Sequence, residues 1–415
     1  MFRKILLTII PAVFIMAVNP APAAEPGQYI RSIREFGVLP GNPPQVNREN
    51  LQKAIDWAGP LGAALFVEPG DQPYPVEGGI VLRANASLIG VHGPVGRGTS
   101  NPQGRQPVGS VFAITDREKP FITTEHATQI RGIQFWYPEQ SRTDPAAIIE
   151  YPPTIRCSPG GCQGVTLSCL TFYGEFFAMD FAGTRRAIVE QILFEHCYGY
   201  PLSGRFIRID YCYDIPRILH CHVNPANMRL FAGGFSRAVI DSVVARKTFT
   251  YEVNHTDNAV FMDLFTFGAY GGVYLGPATY GQLTNFNLDC VTIGIHKLGD
   301  STKNRNWQIS QGSIIANTGP TIDDIHPIII EGEGHTALIA VEAFSGGNGA
   351  LTTLDVSKDF LLVRGDQRPT ITLVGCRMRN YTADAPITIE NPKAVIQAFG
   401  CIDKNENPFN YPPTN

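Results

Sequence analysis

Charge is scarce in this chain. Only 17% of its 415 residues are Asp, Glu, Lys or Arg, and the cations are nowhere gathered into a block. Nucleic-acid phosphates call for clustered Lys and Arg, so a nucleic-acid partner is excluded. Nine cysteines are too few to staple a chain of this length into a disulfide framework. Cys169, Cys221, Cys290, Cys376 and Cys401 sit inside apolar runs and read as buried small hydrophobes. Cys157 and Cys162 flank a Ser-Pro-Gly-Gly turn that suits either a disulfide or a free pair. Past the N-terminus no apolar run reaches the ~20 residues of a membrane span. Long charged helices are missing too, whereas 41 glycines and 32 prolines supply turns for many short strands.

What the chain does have is a repeat, with a period of roughly 20 to 28 residues. It shows best at 165–172, 188–194, 215–223, 239–244, 260–265, 283–291 and 307–315. Each segment is a short apolar run, then a Gly or Asn break, then a second short run. One such unit cannot bury its apolar face alone, so successive units must stack. The expected fold class is all-β, a single parallel β-helix of about ten to twelve coils. A solenoid grows by adding coils, which lifts the size limit on a single core.

The chain starts Met-Phe-Arg-Lys, continues with an apolar run at 5–18, and reaches Ala21-Pro-Ala-Ala-Glu25. A positive start, a short apolar stretch and a small-residue exit read as a signal peptide over residues 1–24, bacterial in style. Its removal predicts a secreted or periplasmic protein with no membrane attachment. Losing Arg3 and Lys4 takes the formal charge from −4 to −6. A helix is expected next, with Asn47 as N-cap and Leu51, Ala54, Ile55 and Ala58 on one face.

From there the order is Phe36-Gly-Val, Asn50-Leu-Gln-Lys-Ala-Ile55, Leu65-Phe-Val-Glu-Pro-Gly70, Tyr74-Pro-Val76 and Ala86-Ser-Leu-Ile-Gly90. Over residues 30–95 this order resembles the N-terminal entry of the pectate-lyase-like superfamily, in the branch of polygalacturonase-related and phage tail-spike proteins. The resemblance implies a right-handed parallel β-helix whose N-terminal end is closed by the helix, as a monomer or homotrimer. The acidic turn of that pattern is replaced here by Leu39-Pro-Gly-Asn-Pro-Pro44. The boundaries that follow are a leader at 1–24, a β-helix domain at 25–404 (capping segment 30–60, coils about 63–402) and a tail at 405–415. Segments 91–108 and 139–164 read as insertions that wall one face.

Stacked coils about 4.8 Å apart line their outward residues into columns. Taking Met179-Asp-Phe, Ile207-Arg-Ile, Met228-Arg-Leu, Tyr251-Glu-Val and Val273-Tyr-Leu as equivalent strands gives the column Asp180, Arg208, Arg229, Glu252, Tyr274. Two residues on lie Asp210, Asn254 and Gly276, with His255 and Asp257 at the following turn and Tyr213 and Phe231 as an apolar shoulder. Arginines suit uronate carboxylates, acids suit proton transfer and a tyrosine ring suits sugar stacking. The same residues also suit a solvated face of cross-coil ion pairs. A second column, Glu190, Asp241, Asp263 and Asn287 or Asp289, would place Asp241 and Asp263 about 5 Å apart. Such a pair suits proton sharing, a retaining glycosidase or a calcium ion. His220-Cys-His222, with His196 one coil earlier, lacks a further ligand in register and reads as surface histidine.

The motifs that carry catalysis in polygalacturonases are absent. There is no Asn-Thr-Asp, Asp-Asp, Gly-His-Gly and Arg-Ile-Lys in successive coils, and Arg208-Ile-Asp210 has Asp where Lys is needed. Nor is there a Trp-Ile-Asp-His, so no catalytic residue is carried over. The reading is an exported enzyme on an acidic polysaccharide, foremost a lyase. Its catalytic candidates are Arg208, Asp210, Arg229, Glu252, His255 and Asp257, and its substrate-binding candidates Asp180, Tyr213, Asn254 and Tyr274. A glycoside hydrolase using paired carboxylates, or a non-catalytic glycan-binding or surface-structural β-helix, stands beside it. No cofactor is implied; calcium is the one ion these carboxylates would suit.

Overall fold

The computed structural model describes residues 29–91, 106–229, 231, 233–299, 306–319, 321–344, 356–379 and 381–412. The expected leader lies outside the described residues. The rest is a parallel β-helix, coiled in the right-handed sense that parallel crossovers adopt, with three ladders of short strands.

The first ladder runs from Ile30–Ser32 through Thr166–Ser168, Leu193–Glu195 and Arg217–Leu219 to Val395–Ile402. The second passes through Thr171–Tyr173, Tyr198–Gly199, His222–Val223, Phe265–Phe267 and Asn287–Val291. The third holds Ile155–Cys157, Met179–Ala182, Ile207–Tyr213, the start of Phe249–Met262, Gly271–Leu275 and Ile293–Lys297. Strands such as Met179–Ala182 alternate buried and half-exposed positions, because period two puts every second side chain inside. Phe112, Phe135, Phe172, Phe206 and Tyr251 form a continuous aromatic row through the core, with ring centroids 5.1 to 6.5 Å apart.

From Thr166–Ser168 onward, the corner between the first and second ladders is a single left-handed residue in nine successive coils. Cys169, His196, His220, Asp263, Asn285, Gln311 and Ala340 occupy it, followed by Gly375 and Gly400, with φ between 50° and 62°. This conformation costs a side-chain-bearing residue energy. Part of that cost is offset because each corner amide stays in the ladder: His196 donates to the Leu219 carbonyl at 3.1 Å and His220 to that of Met262 at 2.9 Å.

Helix α1 (Pro44–Leu61) lies across the first coil and buries Leu51, Ala54, Ile55 and Ala58. Its N-cap is Pro43, four positions before the expected cap at Asn47. Asn47 is instead buried, and its amide bonds both backbone groups of Leu39 and the Pro75 carbonyl. At the other end, Pro408–Tyr411 from the tail turns back antiparallel onto Val395–Ile402.

One repeat unit is not a strand. Residues 239–244 belong to helix α2 (Arg237–Ala245), capped by Ser236 and anchored by Val239 and Val243 four residues apart. Apolar residues at 239, 240, 243 and 244 fit a helix period, and the cap decides it. Residues 224–248 are thus an insertion between the second and third ladders. The insertion at 139–153 leaves at the same corner, while Ile155–Cys157, read as part of it, returns to the third ladder. The two insertions hold each other: Ser236 donates to the Arg142 and Thr143 carbonyls at 2.8 and 2.9 Å, and Arg246 pairs with Glu150 at 2.8 Å.

Candidate functional site

Strand register assembles the strip on the outside of the third ladder. Arg156, Asp180, Arg208, Glu252, Tyr274 and His296 are paired positions in successive coils. Asp180, Arg208, Glu252 and Tyr274 therefore stand in one column, as their alternation predicts. Arg229 does not. Pro225–Met228 is a turn of 3-10 helix ending at Arg229, so the Met-Arg-Leu triplet belongs to the insertion. Phe231 is likewise buried, against Tyr173 at 4.9 Å.

The column is laced by ion pairs between coils. Arg208 grips Asp180 with two bonds of 2.8 and 2.6 Å. Arg205 holds Glu252 at 2.7 Å. A guanidinium has five N–H donors, so Arg208 keeps free donors for an incoming carboxylate. Next to this pair is a cavity of about 250 Å³ lined by Arg156, Asp180, Ala182, Gly183 and Thr184.

Two residues along the strands, Asp210 pairs in register with Asn254. The chain then kinks in both coils, Tyr211 and His255 taking φ of 47° and 41°. The kink lays the two rings flat on each other, 4.4 Å apart and 4° from parallel. It also brings His255 Nδ1 to 2.9 Å from Asp210 Oδ1. A carboxylate on one ring nitrogen fixes the tautomer and directs the other nitrogen outward. Asn254 occupies the space over Gly276, where an added Cβ would fall 1.8 Å from its Oδ1. Asp257 lies beyond the dyad, its Oδ1 buried with no hydrogen bond among the described residues. Tyr213 pairs in register with Glu190, past the kink.

Farther along, the strip turns aromatic. The Phe249 ring lies 5.3 to 6.0 Å from those of Tyr270, Tyr274 and His296, and Tyr274 and His296 meet edge-on at 5.6 Å. Burial and the nearby Glu252 and Glu331 carboxylates raise the Tyr274 pKa, so its phenol stays protonated. Glu331 is held at about 2, chiefly by the His296 ring nitrogen 3.4 Å away, with burial opposing and Arg364 adding.

The second column expected from sequence does not form. Asp241 sits on α2, paired with Arg237 at 2.6 Å. Asp263 is a corner residue whose carboxylate meets His220 Nδ1 at 2.9 Å. They are not in one column, and no group of three or more His, Cys, Asp or Glu among the described residues is placed to hold a metal. Glu190 accepts from Gln163 at 2.9 Å. Cys157 and Cys162 are free and buried, and a hydrogen bond from Cys162 lowers the Cys157 pKa.

Sequence reading missed several groups. Arg156 begins the column and His296 ends its polar part. Glu175 is fully buried where the second ladder turns toward the third. Neither of its oxygens reaches hydrogen-bond geometry with a partner among the described residues. Burial lifts its pKa to about 8, against the approach of the Glu175 and Tyr200 backbone amides. Its carboxyl fits only because residue 199 is glycine, whose Cβ would fall 2.4 Å from Glu175 Oε1. A lone Glu in an irregular stretch carries no sequence mark of such burial.

No protein-family model matches this sequence, and no curated protein matches it. Solved structures do match in shape. The Agl-KA catalytic domain aligns with TM-score 0.50 at 12% identity, over 92% of this chain and 70% of that one. DFA-IIIase from Arthrobacter chlorophenolicus A6 in complex with GF2 aligns with TM-score 0.48 at 9% identity, over 93% and 100%. The A-module of mannuronan C-5 epimerase AlgE6 from Azotobacter vinelandii aligns with TM-score 0.44 at 13% identity, over 92% and 100%. At these identities the likeness is one of fold.

Proposed function

We propose that the protein is an exported enzyme that cleaves a uronate-containing polysaccharide by β-elimination on the third-ladder strip. The observation that carries this reading is the Asp210–His255 dyad two residues from Arg208. A lyase needs a cation against the uronate carboxylate and a base for the neighbouring C5 proton. The free donors of Arg208 supply the first. His255 Nε2, oriented by Asp210, takes the proton, and the electron pair forms the C4–C5 double bond. The C4–O bond breaks, and the protonated Tyr274 phenol gives its proton to the departing oxygen. Asp180 and Glu252 each already accept from an arginine, and Asp210 is engaged by the His255 ring. That suits orienting and neutralising groups better than the proton-donating acid of a hydrolase.

The test is to incubate protein starting at Glu25 with acidic and neutral polysaccharides, following unsaturated-product absorbance and reducing ends together. Both should rise with a uronate polymer, and Arg208→Ala should abolish both. Reducing ends alone would transfer the chemistry to Asp210 and Glu252 as hydrolytic carboxylates. No product from any polymer would leave a glycan-binding or structural face.

A further inference from the structure

The arginine displaced from the column has a setting of its own. Arg229 is exposed at the mouth of a second cavity, about 210 Å³, between the 224–248 insertion and the second ladder. Asn224, Arg229, Phe235, Ile240 and Phe267 line it. Among the described residues Arg229 makes no ion pair, unlike Arg205 and Arg208 on the strip. Gly233 and Gly234, with φ of 94° and 77°, curl the chain around it, and an added Cβ on Gly234 would fall 3.3 Å from the Arg229 Cα.

Phe235 and Phe267 give the cleft two aromatic walls. Beside it on the second ladder, His222 and Phe265 stack 4.3 Å apart and 15° from parallel, with Tyr198 5.9 Å from His222 in the coil before. They are paired positions of one column, and Asn224 and Phe267 fall two residues along from His222 and Phe265. Rings in a row one coil apart offer flat apolar faces for the C–H face of a sugar. The cavity is smaller than the ~300–1,000 Å³ of pockets that bury a drug-sized ligand, which suits a single ring. A fork-shaped cation beside it, with no ion pair among the described residues, favours a carboxylate-bearing ring over a neutral one.

We propose that this cleft is a second binding subsite for an anionic sugar unit, with Arg229 holding its carboxylate and Phe267 supporting its ring. The proposal rests on the glycan reading of the third-ladder strip but uses none of its residues. On this account Arg229 serves affinity and not turnover.

The experiment compares wild type, Arg229→Ala, Arg229→Lys and Phe267→Ala. Binding to polygalacturonate, alginate and a neutral β-glucan is read by affinity electrophoresis, and turnover of the same polymers is measured in parallel. Arg229→Ala should weaken retention by the uronate polymer, and raise KM, about tenfold with kcat unchanged. Arg229→Lys should restore only part of this, because a point charge replaces a fork. Phe267→Ala should weaken uronate binding as well. Wild-type binding and KM in Arg229→Ala, with an active parent, would overturn the subsite and leave the strip standing. A parent that neither retains on nor cleaves any uronate polymer would overturn both.

Discussion

Replacing Glu175 by Gln should change how stability depends on pH in a way that isolates one proton. Glu175 is fully buried, with its pKa raised from 4.5 to about 8. Between those values the native protein keeps a proton that the unfolded chain has released. Stability therefore falls as pH rises through this window and levels off above the folded value. The slope is about 1.4 kcal/mol per pH unit, which amounts to about 3 kcal/mol lost by pH 7. Gln keeps the shape and cannot ionise. Urea unfolding of both proteins from pH 5 to 9 gives the stability difference, in which every other titrating group cancels. The advantage of Glu175→Gln should be smallest at pH 5, climb about 1.4 kcal/mol per unit, and flatten beyond pH 8. A difference that stays constant across the range would show that the carboxyl titrates alike in both states, and the burial argument would fail.

Three further outcomes follow from the geometry. Glu331→Gln works with the opposite sign: the native carboxyl is held at about 2, so wild type should lose its advantage over the variant as pH falls from 4.5 toward 2, read as a narrowing gap in melting temperature. Gly294→Ala drives a Cβ to 2.5 Å from the Pro327 carbonyl oxygen and 2.6 Å from Ile314 Cγ2, and should cost about 1–3 kcal/mol in denaturant unfolding. On the lyase reading, Asp210→Asn leaves His255 in place but removes the carboxylate that fixes its tautomer; kcat should drop at least about a hundredfold in steady-state assays, with KM little changed.

The strip was readable because its strands keep strict alternation. Asp180, Arg208, Glu252 and Tyr274 each sit between two apolar residues, and register then follows from which face is buried. Arg229 shares that local pattern, yet Pro225 before it and Gly233-Gly234 after it mark an insertion. The 239–244 segment carries apolar residues that fit two periods, and only the Ser236 cap separates them. The Asp210–His255 pairing was hidden for another reason: both residues were named, but they meet through left-handed kinks at Tyr211 and His255, conformations that neither residue type announces. Arg156 was missed because the Pro-rich stretch before it concealed a three-residue strand.

The two ends of the coil have a consequence for assembly. Every rung of a parallel coil is a template for the next, and an uncovered last rung would accept a strand from another molecule as readily as its own. Helix α1 lies over one end, and Pro408–Tyr411 runs against the direction of the rungs at the other. A reversed strand cannot be extended by a further parallel turn. The chain thereby behaves as a ruler of fixed length and not as a seed for a filament. The row of outward side chains that a glycan would meet is then set by the number of rungs between two stoppers.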